Sequence, residues 1–306
     1  MPELPDVTVY VEALRRRVVG WSLLAVRLGN PFVLRSVSPR PAELAGLDVV
    51  GVERLGKRIV IRLAGDFAVV LHLMVAGRLH WFDGGASVEK PAVKARNRIA
   101  ALDFSNGTLV LTEAGTKKRA SLHLVRAASA GGLDEHDRGG MEVLDATLET
   151  FRERLLSENH TLKRALTDPR LFSGMGNSYS DEILHRARLS PLQWTSRLDA
   201  EAIDRLFRAT RAVLEEWTAR LREEAGDGFP RKVTAFREGM AVHGRYRQPC
   251  PTCGGEVQRI VYASNESNYC PACQTEGRLL KDRALSQLLH GDWPRTVAEL
   301  EERRRS

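Results

Sequence analysis

Four cysteines carry the clearest chemical pattern in this chain of 306 residues. Cys250, Cys253, Cys270 and Cys273 form two CxxC pairs within one short stretch. Thiolates at this spacing are typical of a tetrahedral zinc ion whose four positions are all filled by sulfur. A redox-active CxxC pair or a chance cluster is the alternative. We expect one structural zinc ion that takes no part in catalysis.

The first three residues, Met1-Pro2-Glu3, could supply a nucleophile and an acid–base group. Removal of Met1 would expose the secondary amine of Pro2, which can attack the anomeric carbon of a sugar and form an iminium. A terminal amine has a pKa of about 7.7–8.0 in peptides, so part of it is uncharged at neutral pH. Glu3 could protonate the ring oxygen or the leaving base and later help to remove the 2′ proton. The same start is also common in proteins in which it has no chemical role, and a retained Met1 would block the amine.

A glycine-rich turn between two helical segments could bind phosphate. Residues 171–191 read LFSGMGNSYSDEILHRARLSP, in which Gly174 and Gly176 permit positive φ. Backbone amides at the start of the second helix, together with the Asn177 side chain, would form a phosphate seat. Lys163 lies upstream and adds a positive charge. A GxGN sequence alone is more often only a turn, but with Lys163 and the cysteine hairpin it indicates a DNA-binding region.

The charge balance favours a nucleic-acid partner, and the lack of long apolar runs argues against a membrane protein. Lys and Arg outnumber Asp and Glu by 46 to 39, giving a net charge of +7. A basic excess favours a polyanionic partner, although a solvated basic surface explains it equally well. No apolar run approaches the length of a membrane span, and the N-terminus lacks the features of a secretory signal. We therefore expect no membrane partner and a cytoplasmic, nucleoid-associated location.

Apolar periodicity divides the chain into elements that would position these residues. Residues 5–19 have helical apolar spacing, and Gly20 ends the run. From about residue 22 to 126, short β-branched segments alternate with turns such as Asn106-Gly107, which predicts an antiparallel β-sandwich. Thr150 and Glu153 suggest a capping box before a short helix. Residues 199–225 carry the clearest apolar helical stripe.

These elements predict an α+β fold with two domains. The first domain, residues 1–130, combines the N-terminal helix with the antiparallel β-sandwich and would be catalytic. Residues 131–149, rich in small and charged side chains at their start, form a hinge linker. Residues 150–240 form a helical DNA-binding domain of the helix–two-turn–helix type, and residues 241–276 a β-hairpin zinc finger. Residues 277–306 are a C-terminal extension that contains the helical-looking stretch LLKDRALSQLL.

The chain resembles the formamidopyrimidine-DNA glycosylase/endonuclease VIII family over residues 1 to about 275. The resemblance rests on several separate motifs that occur in the family's order and spacing. Such a combination is not expected by chance. The motifs are PELPDV at the start, LGKRIVIRL (55–63), HLMVAGRL (72–79), GMGNSYSDEIL (174–184) and the four-cysteine finger.

This resemblance implies a base-excision repair enzyme, a glycosylase with abasic-site lyase activity, that acts as a monomer on damaged duplex or single-stranded DNA. It implies that Pro2 is the nucleophile and Glu3 the general acid/base. Lys57, on a β-hairpin loop, would contact phosphate and help the elimination, although taken alone it would be an ordinary solvated turn lysine. Asn177 would hold the phosphate beside the flipped nucleotide, and Glu182 would lie near the amine.

The chain departs from the family in the strand that follows Lys57. Family members typically read HLGMSGxL there, and the Met enters the base stack. This chain has Met74-Val75-Ala76, so the aligned wedge is Val75 and Met74 lies one place earlier. Asp6 replaces a usual Glu, which is a milder change.

Two further departures concern the loops that read the lesion. The family's DPRRFG loop supplies an Arg and a Phe to the vacated space. Here the loop is TEAGTKKRASL (112–122), with only Lys117, Lys118 and Arg119 as substitutes. The Arg five residues before the third cysteine is Asn265. These changes leave two alternatives open: a glycosylase for bulky alkylated or crosslinked bases, and a non-catalytic DNA-binding protein of the same architecture.

Overall fold

The computed structural model describes residues 1–84, 90–93, 97–115, 117–231, 233, 237–262, 265–281 and 294–305. The chain divides into two compact units. Unit 1 comprises Met1–Arg138 and Trp217–Ala235, and unit 2 comprises Gly139–Glu216 and Phe236–Ser306. None of the helices in the described part of the chain is long and apolar enough to span a membrane.

Unit 1 begins with helix α1, Leu4–Val18. Val7, Val11, Leu14 and Val18 recur at helical spacing, and all four are at most 3% exposed, so the predicted apolar face is confirmed. The backbone N–H of Glu3 donates to Oδ2 of Asp6 at 2.9 Å, just before the first turn. This bond fixes the backbone of Glu3 at the point where the helix begins.

Eight antiparallel strands form the body of unit 1. The sheet order is β5-β7-β6-β1-β2-β3-β4-β8, and β1 and β2 pair only through Ser22–Asp48 and Leu23–Leu47. This short pairing joins two four-stranded halves, and the inner faces of both contribute to one apolar core. The predicted β-sandwich is therefore confirmed. The strands are β1 Ser22–Leu28, β2 Leu47–Leu55, β3 Arg58–Leu63, β4 Phe67–His72, β5 Gly77–Asp83, β6 Arg98–Phe104, β7 Gly107–Glu113 and β8 Ser121–Arg126.

Alternation along the strands decides which side chains face the core. In β5, Leu79 is 1% exposed and belongs to the core, whereas its neighbours Arg78 and His80 are only half-buried. The Asn106-Gly107 turn joins β6 to β7 as predicted. A Cβ atom on Gly107 would lie 2.3 Å from the Trp81 ring, so this position requires glycine.

Unit 2 is mostly helical. Its long helix α5 confirms the prediction for residues 199–225, and α3 ends at Thr167, before Asp168-Pro169. The capping prediction for α2 was wrong by three residues. The Thr147 hydroxyl, and not that of Thr150, accepts the N-terminal N–H, at 3.2 Å from Thr150 N. The helices are α2 Leu148–Leu156, α3 Leu162–Thr167, α4 Asn177–Ala187, α5 Ala200–Ala225, α6 Pro271–Gln274 and α7 Val297–Arg305, and α5 passes into unit 1 at Trp217.

Two features of unit 2 match the predicted DNA-binding elements. The glycine turn joins α3 to α4. Gly174 has φ +76°, whereas Gly176 is the N-cap of α4 with φ −147°, an extended conformation that does not need glycine. The cysteine region forms the predicted hairpin from β9 Gln258–Tyr262 and β10 Asn265–Tyr269. The stretch predicted to be helical in the C-terminal extension lies largely outside the described residues.

Candidate active site and DNA interface

The four cysteine sulfur atoms lie within 4.8 Å of one another. Sγ of Cys250 is 3.9 Å from Sγ of Cys273, and Sγ of Cys253 is 3.4 Å from Sγ of Cys270. Sulfur atoms at the corners of a tetrahedron, each at a Zn–S distance of about 2.3 Å, lie about 3.8 Å apart. The cluster therefore fits one zinc ion with a complete set of sulfur ligands.

The N-terminal residues are enclosed in unit 1. Pro2 is buried, and Glu3 and Asp6 are 2% and 4% exposed. Burial lowers the pKa of the terminal amino group of Met1. Among the charged neighbours, Glu3 and Asp6 oppose this shift, whereas Arg78 and Lys57 add to it. The Glu3 carboxylate and the Lys57 ammonium therefore each act on the charge of the chain terminus, although 54 positions separate Glu3 from Lys57 (57 − 3).

Lys57 lies in the two-residue turn between β2 and β3, after Gly56 with φ +59°. A tight hairpin turn of this kind needs a residue that tolerates positive φ. The surroundings of the turn are cationic. Burial lowers the pKa of His72 to about 4, and Arg58 and Lys57 are the next largest causes. Because these neighbours repel a further proton, the hairpin has a positive potential that suits a phosphate group.

Lys163 and Asn177 meet at the N-terminus of α4, but they are already engaged. The Lys163 ammonium donates to the Asn177 carbonyl at 2.7 Å, to Ser180 Oγ at 2.8 Å and to Asp181 Oδ1 at 2.5 Å. An ammonium has three N–H donors, so these acceptors use all of them. This geometry gives Lys163 the task of holding the start of α4, and its contact with phosphate stays a prediction. The Asn177 side-chain amide donates to the carbonyl of Glu266 in β10 at 2.7 Å.

Asp181 is the centre of a buried network that the sequence did not reveal. Its carboxylate is fully buried and accepts from Lys163, from His243 Nδ1 at 2.8 Å, from Ser267 Oγ at 2.8 Å and from Asn268 N at 3.1 Å. Burial alone would raise the pKa of Asp181, but Lys163 and His243 outweigh it and the pKa lies below its usual value. The four partners come from three chain segments, and only the proximity of Asp181 to the predicted Glu182 could have drawn attention to it.

Glu182 ties α4 to the segment before the zinc finger. Its carboxylate accepts the N–H groups of Ala241 at 2.7 Å and of Val242 and His243 at 2.9 Å each. Burial raises the pKa of Glu182, and the three N–H donors oppose that rise. These contacts all lie within unit 2, and a role of Glu182 near the terminal amine stays a prediction. One turn later on α4, His185 Nε2 lies 3.3 Å from Sγ of Cys250.

The predicted wedge residues lie on a tight turn in unit 1. The N–H of Gly77 donates to the carbonyl of Leu73 at 2.9 Å, which closes a loop over the three residues between them. Val75 is 59% exposed, whereas Met74 is half-buried with φ +50°. Val75 is therefore the side chain that the turn presents to solvent.

The basic loop after β7 is held by hydrogen bonds to Glu113, in which the backbone N–H groups of the loop and the Lys118 ammonium are the donors. The buried Glu113 carboxylate accepts the N–H groups of Arg119 at 2.9 Å and Ala120 at 3.1 Å. The Lys118 ammonium donates to the Glu113 carbonyl. The side chains of Lys117 and Arg119 remain exposed. Asn265 is exposed at the first position of β10, where it pairs with Tyr262 across the hairpin.

Comparison with known proteins places these features in one family. Three family models match in succession: the formamidopyrimidine-DNA glycosylase N-terminal domain over residues 1–119, its H2TH domain over 141–223, and the zinc finger found in FPG and IleRS over 247–275. The formamidopyrimidine-DNA glycosylase of Thermus thermophilus is 34% identical over 283 residues, covering 90% of this chain and all of that protein. That of Heliobacterium modesticaldum is 33% identical over 282 residues, with the same coverage.

Solved structures show the same fold. The Lactococcus lactis enzyme, crystallised non-covalently bound to DNA that contains an abasic site, matches with a TM-score of 0.73 and 23% identity. The match covers 89% of this chain and 99% of that one. Fold and site together define a zinc-finger DNA-repair protein of the helix–two-turn–helix class. The chain belongs to the formamidopyrimidine-DNA glycosylase family, and its four cysteines hold one structural zinc ion.

Proposed function

We propose that this protein removes damaged bases from DNA and then cleaves the resulting abasic site through an iminium of its N-terminal proline. The observation that carries the proposal is the convergence of the buried chain terminus, Glu3 and Lys57 in unit 1. A protein that only binds DNA has no need of a buried amine beside a carboxylate and a lysine. The relative from Lactococcus lactis, crystallised with abasic-site DNA, supports the same substrate class.

The chemistry requires removal of Met1, which exposes the secondary amine of Pro2. Its nitrogen lone pair forms a bond to C1′ of the damaged nucleoside as the bond from C1′ to the base breaks. Glu3 protonates the ring oxygen or the departing base. Ring opening yields an iminium cation, which acidifies the 2′ proton. Glu3 accepts that proton as the C3′–O bond breaks, which completes β-elimination, and Lys57 holds the phosphate that leaves.

The surroundings of the amine favour this reaction. Burial, with help from Arg78 and Lys57, lowers the pKa of the Met1 amino group. Pro2, the next residue, is itself buried, so we expect a shift in the same direction for the amine that removal of Met1 exposes. A lowered pKa increases the uncharged fraction of the amine at neutral pH, and only the uncharged amine can attack.

The zinc ion takes no part in this reaction. Four sulfur ligands leave no position for water, so its task is to fold the hairpin that presents β10 to α4.

Binding would use phosphate contacts from Lys57 and from the N-terminus of α4, with Asn177 beside it. We propose that the protein works as a monomer on chromosomal DNA in the nucleoid. The altered Val75 turn and the loop with Lys117 and Arg119 favour a second substrate class, bulky alkylated or crosslinked bases, because the side chains that fill the vacated base stack differ from those of the family.

Borohydride trapping tests the mechanism. Reduction of the complex with abasic-site DNA should give a covalent adduct, and peptide mapping should place it at residue 2. In a form that carries an N-terminal extension, the Pro2 nitrogen is part of a peptide bond and cannot attack, so this form should give no adduct. An adduct that persists with the extension would assign the nucleophile to a lysine such as Lys57. No adduct with either form would favour a non-catalytic DNA-binding protein.

A further inference from the structure

A groove with a volume of about 360 Å³ lies on the outer face of strands β5, β6 and β7 in unit 1. Cross-strand pairing sets Arg78 of β5 and Arg98 of β6 on either side of Thr112 of β7. Since neighbouring strands are about 4.8 Å apart, the two arginine backbones are about 10 Å apart. His80 and Phe82 follow Arg78 at alternate positions and line the same groove.

The two arginines retain hydrogen-bonding capacity toward a ligand. Nη1 of Arg78 donates to the carbonyls of Gly77 at 2.7 Å and Val75 at 3.2 Å. Nη1 of Arg98 donates to the carbonyl of Ala92 at 2.8 Å. A guanidinium has five N–H donors, and within the described residues the Nε and Nη2 groups of both side chains have no hydrogen-bond partner. Both can therefore donate to an anion.

The charge of the groove is positive. None of the described residues that line it is acidic. The carboxylates on these three strands have partners elsewhere. Asp103 accepts two bonds from Arg27, at 2.7 and 2.9 Å, Glu113 accepts the N–H groups of Arg119 and Ala120, and Asp83 accepts from Trp81 Nε1 at 2.7 Å. Burial lowers the pKa of His80, with Arg98 and Arg78 as further causes, so its ring is neutral at neutral pH and shares a 2.9 Å hydrogen bond with Thr112 Oγ1. Charge complementarity thus favours an anionic ligand.

Phe82 adds an aromatic surface. Its side chain is 39% exposed, and the guanidinium carbon of Arg98 lies 5.8 Å from the centre of its ring. An exposed ring beside a cation is the combination that binds unstacked nucleobases with little regard to sequence. In a duplex the bases are stacked and their faces are covered, so this ring favours an unpaired strand.

The position of the groove connects it to the proposed chemistry. It begins at Ala76, next to the exposed Val75, and reaches Ala114 at the start of the basic loop. Arg78 lines the groove and also acts on the terminal amino group. A strand that lies in the groove would therefore pass close to the amine.

We propose that this groove binds one nucleotide of an unpaired DNA strand, with the base against Phe82 and the phosphate between Arg78 and Arg98. The proposal rests on the proposed function, because it assumes that DNA reaches the amine. It makes single-stranded regions, bubbles or strand ends a preferred setting for the enzyme.

Equilibrium binding of a labelled, undamaged single-stranded oligonucleotide and of the matching duplex tests the proposal with the full, zinc-loaded chain. Phe82→Leu and Arg98→Gln should each weaken single-strand binding about five- to tenfold and duplex binding less than twofold. Two variants serve as matched controls. Phe32→Leu changes a phenylalanine that is 75% exposed elsewhere in unit 1, and Arg126→Gln changes an arginine stacked 4.3 Å over Phe67. Both controls should leave single-strand binding within twofold of wild type.

Photocrosslinking with a single-stranded oligonucleotide that carries 5-iodouracil gives an independent measure that does not depend on substitutions. The crosslinked peptide should contain residues 78–82. Unchanged single-strand affinity in both groove variants would overturn the proposal, and so would crosslinks confined to unit 2. An equal loss for duplex and single strand would assign the groove to duplex phosphates instead. Binding of undamaged DNA requires no chemistry. A failure of borohydride trapping would therefore refute the proposed function and would not bear on whether the groove binds single-stranded DNA.

Discussion

The N-terminus of α4 in unit 2 and the Leu73–Gly77 turn in unit 1 are built in opposite ways. At α4, Asp181 is buried, the Lys163 side chain is 12% exposed, and every donor of the ammonium is used within the protein. At the turn, Val75 is 59% exposed and its side chain projects into solvent. The first region is held by a network of side-chain hydrogen bonds around a buried carboxylate. The second is held through its backbone, by the bond between Gly77 and Leu73 and by the bonds from Arg78 to the Val75 and Gly77 carbonyls, which leaves the Val75 side chain without a role in the turn.

This difference follows from what each region is proposed to contact. The phosphate backbone is the same in all DNA, so a rigid seat for it remains suitable whatever the lesion. The side chains that replace an extruded base must match the lesion and its partner, so they are free to differ while the turn that carries them keeps its backbone. Substitutions in unit 1 and in unit 2 should therefore have different effects on the rate of base excision and on the affinity for DNA.

The largest effect is expected at the chemical centre of unit 1. Glu3→Gln removes a proton donor and should reduce the single-turnover rate of base excision about a thousandfold, with DNA affinity within about threefold of wild type. Rapid-quench kinetics and equilibrium binding measure the two quantities. Glu12→Gln, which changes another glutamate of α1, is the matched control. A parallel loss of affinity would mean that Glu3 shapes the DNA-binding surface.

Loss of zinc should reduce the affinity for DNA, the quantity that Glu3→Gln leaves nearly unchanged. Cys270→Ser removes one thiolate and should weaken DNA binding about a hundredfold or more, because β10 carries Glu266, Ser267 and Asn268 to α4. Ala272→Ser adds the same hydroxyl group without removing a ligand and should bind normally. Metal analysis and binding isotherms decide the outcome. Full affinity in a zinc-free Cys270→Ser protein would contradict the role given to the finger.

The Asp181 network should be costly to break on one side only. Asp181→Asn leaves the largely enclosed Lys163 ammonium without its buried counter-charge and should destabilise unit 2 by about 3 kcal/mol. Adding Lys163→Met should recover part of that loss, and Lys163→Met alone should leave the salt dependence of DNA binding unchanged. Arg164→Met, at the neighbouring exposed position, is the control. A salt slope lowered by about one in Lys163→Met would support the phosphate-contact prediction for this lysine.

Unit 1 should lose stability as the pH falls below 6.5, because it holds two histidines with lowered pKa values. Burial lowers the pKa of both His72 and His123 to about 4 in the folded protein. The unfolded chain binds protons at these residues near pH 6.5 and the folded chain does not, so stability falls as the pH drops from 6.5 toward 4. We expect a loss of about 2 kcal/mol by pH 4.5, reduced by solvent screening at the half-exposed His123. Denaturant unfolding at the two pH values measures it. His123→Gln should flatten the dependence, and His160→Gln in unit 2 should not.

The smallest effect concerns the turn. Val75→Met lengthens the exposed side chain and should speed excision from intact duplex about tenfold, while rates on bubbles and single strands change little. Val37→Met, at a valine that is 94% exposed elsewhere in unit 1, controls for added surface methionine. Single-turnover rates on one lesion in the three settings provide the measurement. If the wild-type duplex rate already equals the others, side chains outside this turn fill the vacated base stack.

Local patterns in the sequence predicted the elements well. The apolar spacing of α1 and α5, the Asn106-Gly107 turn and the two CxxC pairs all depend on residues near one another in the chain. The start of α2 was misplaced because Thr147 and Thr150 are both acceptable caps, and only the contact made in three dimensions distinguishes them.

The contacts of the site could not be predicted as well, because they join residues that lie far apart in the chain. The sequence draws attention to Lys163 as a charge beside a phosphate-binding turn, and nothing local shows that Asp181 neutralises it. His243 and Ser267 lie 62 and 86 positions after Asp181 (243 − 181, 267 − 181). A buried ion pair depends on which segments the fold brings together, and periodicity does not report that.

The position of Asp181 also determines which part of this protein can be exchanged between relatives. The matched zinc-finger segment spans residues 247–275, yet three of the four groups bonded to Asp181, those of His243, Ser267 and Asn268, come from residues 243–268. Replacing residues 247–275 alone would keep His243. The contact from residue 268 is a backbone N–H that any residue except proline supplies, so only the Ser267 hydroxyl contact would depend on the donor side chain. A graft that begins before His243 and carries α4 with it would transfer Asp181 together with three of its four partners. The finger and α4 thus form one structural piece.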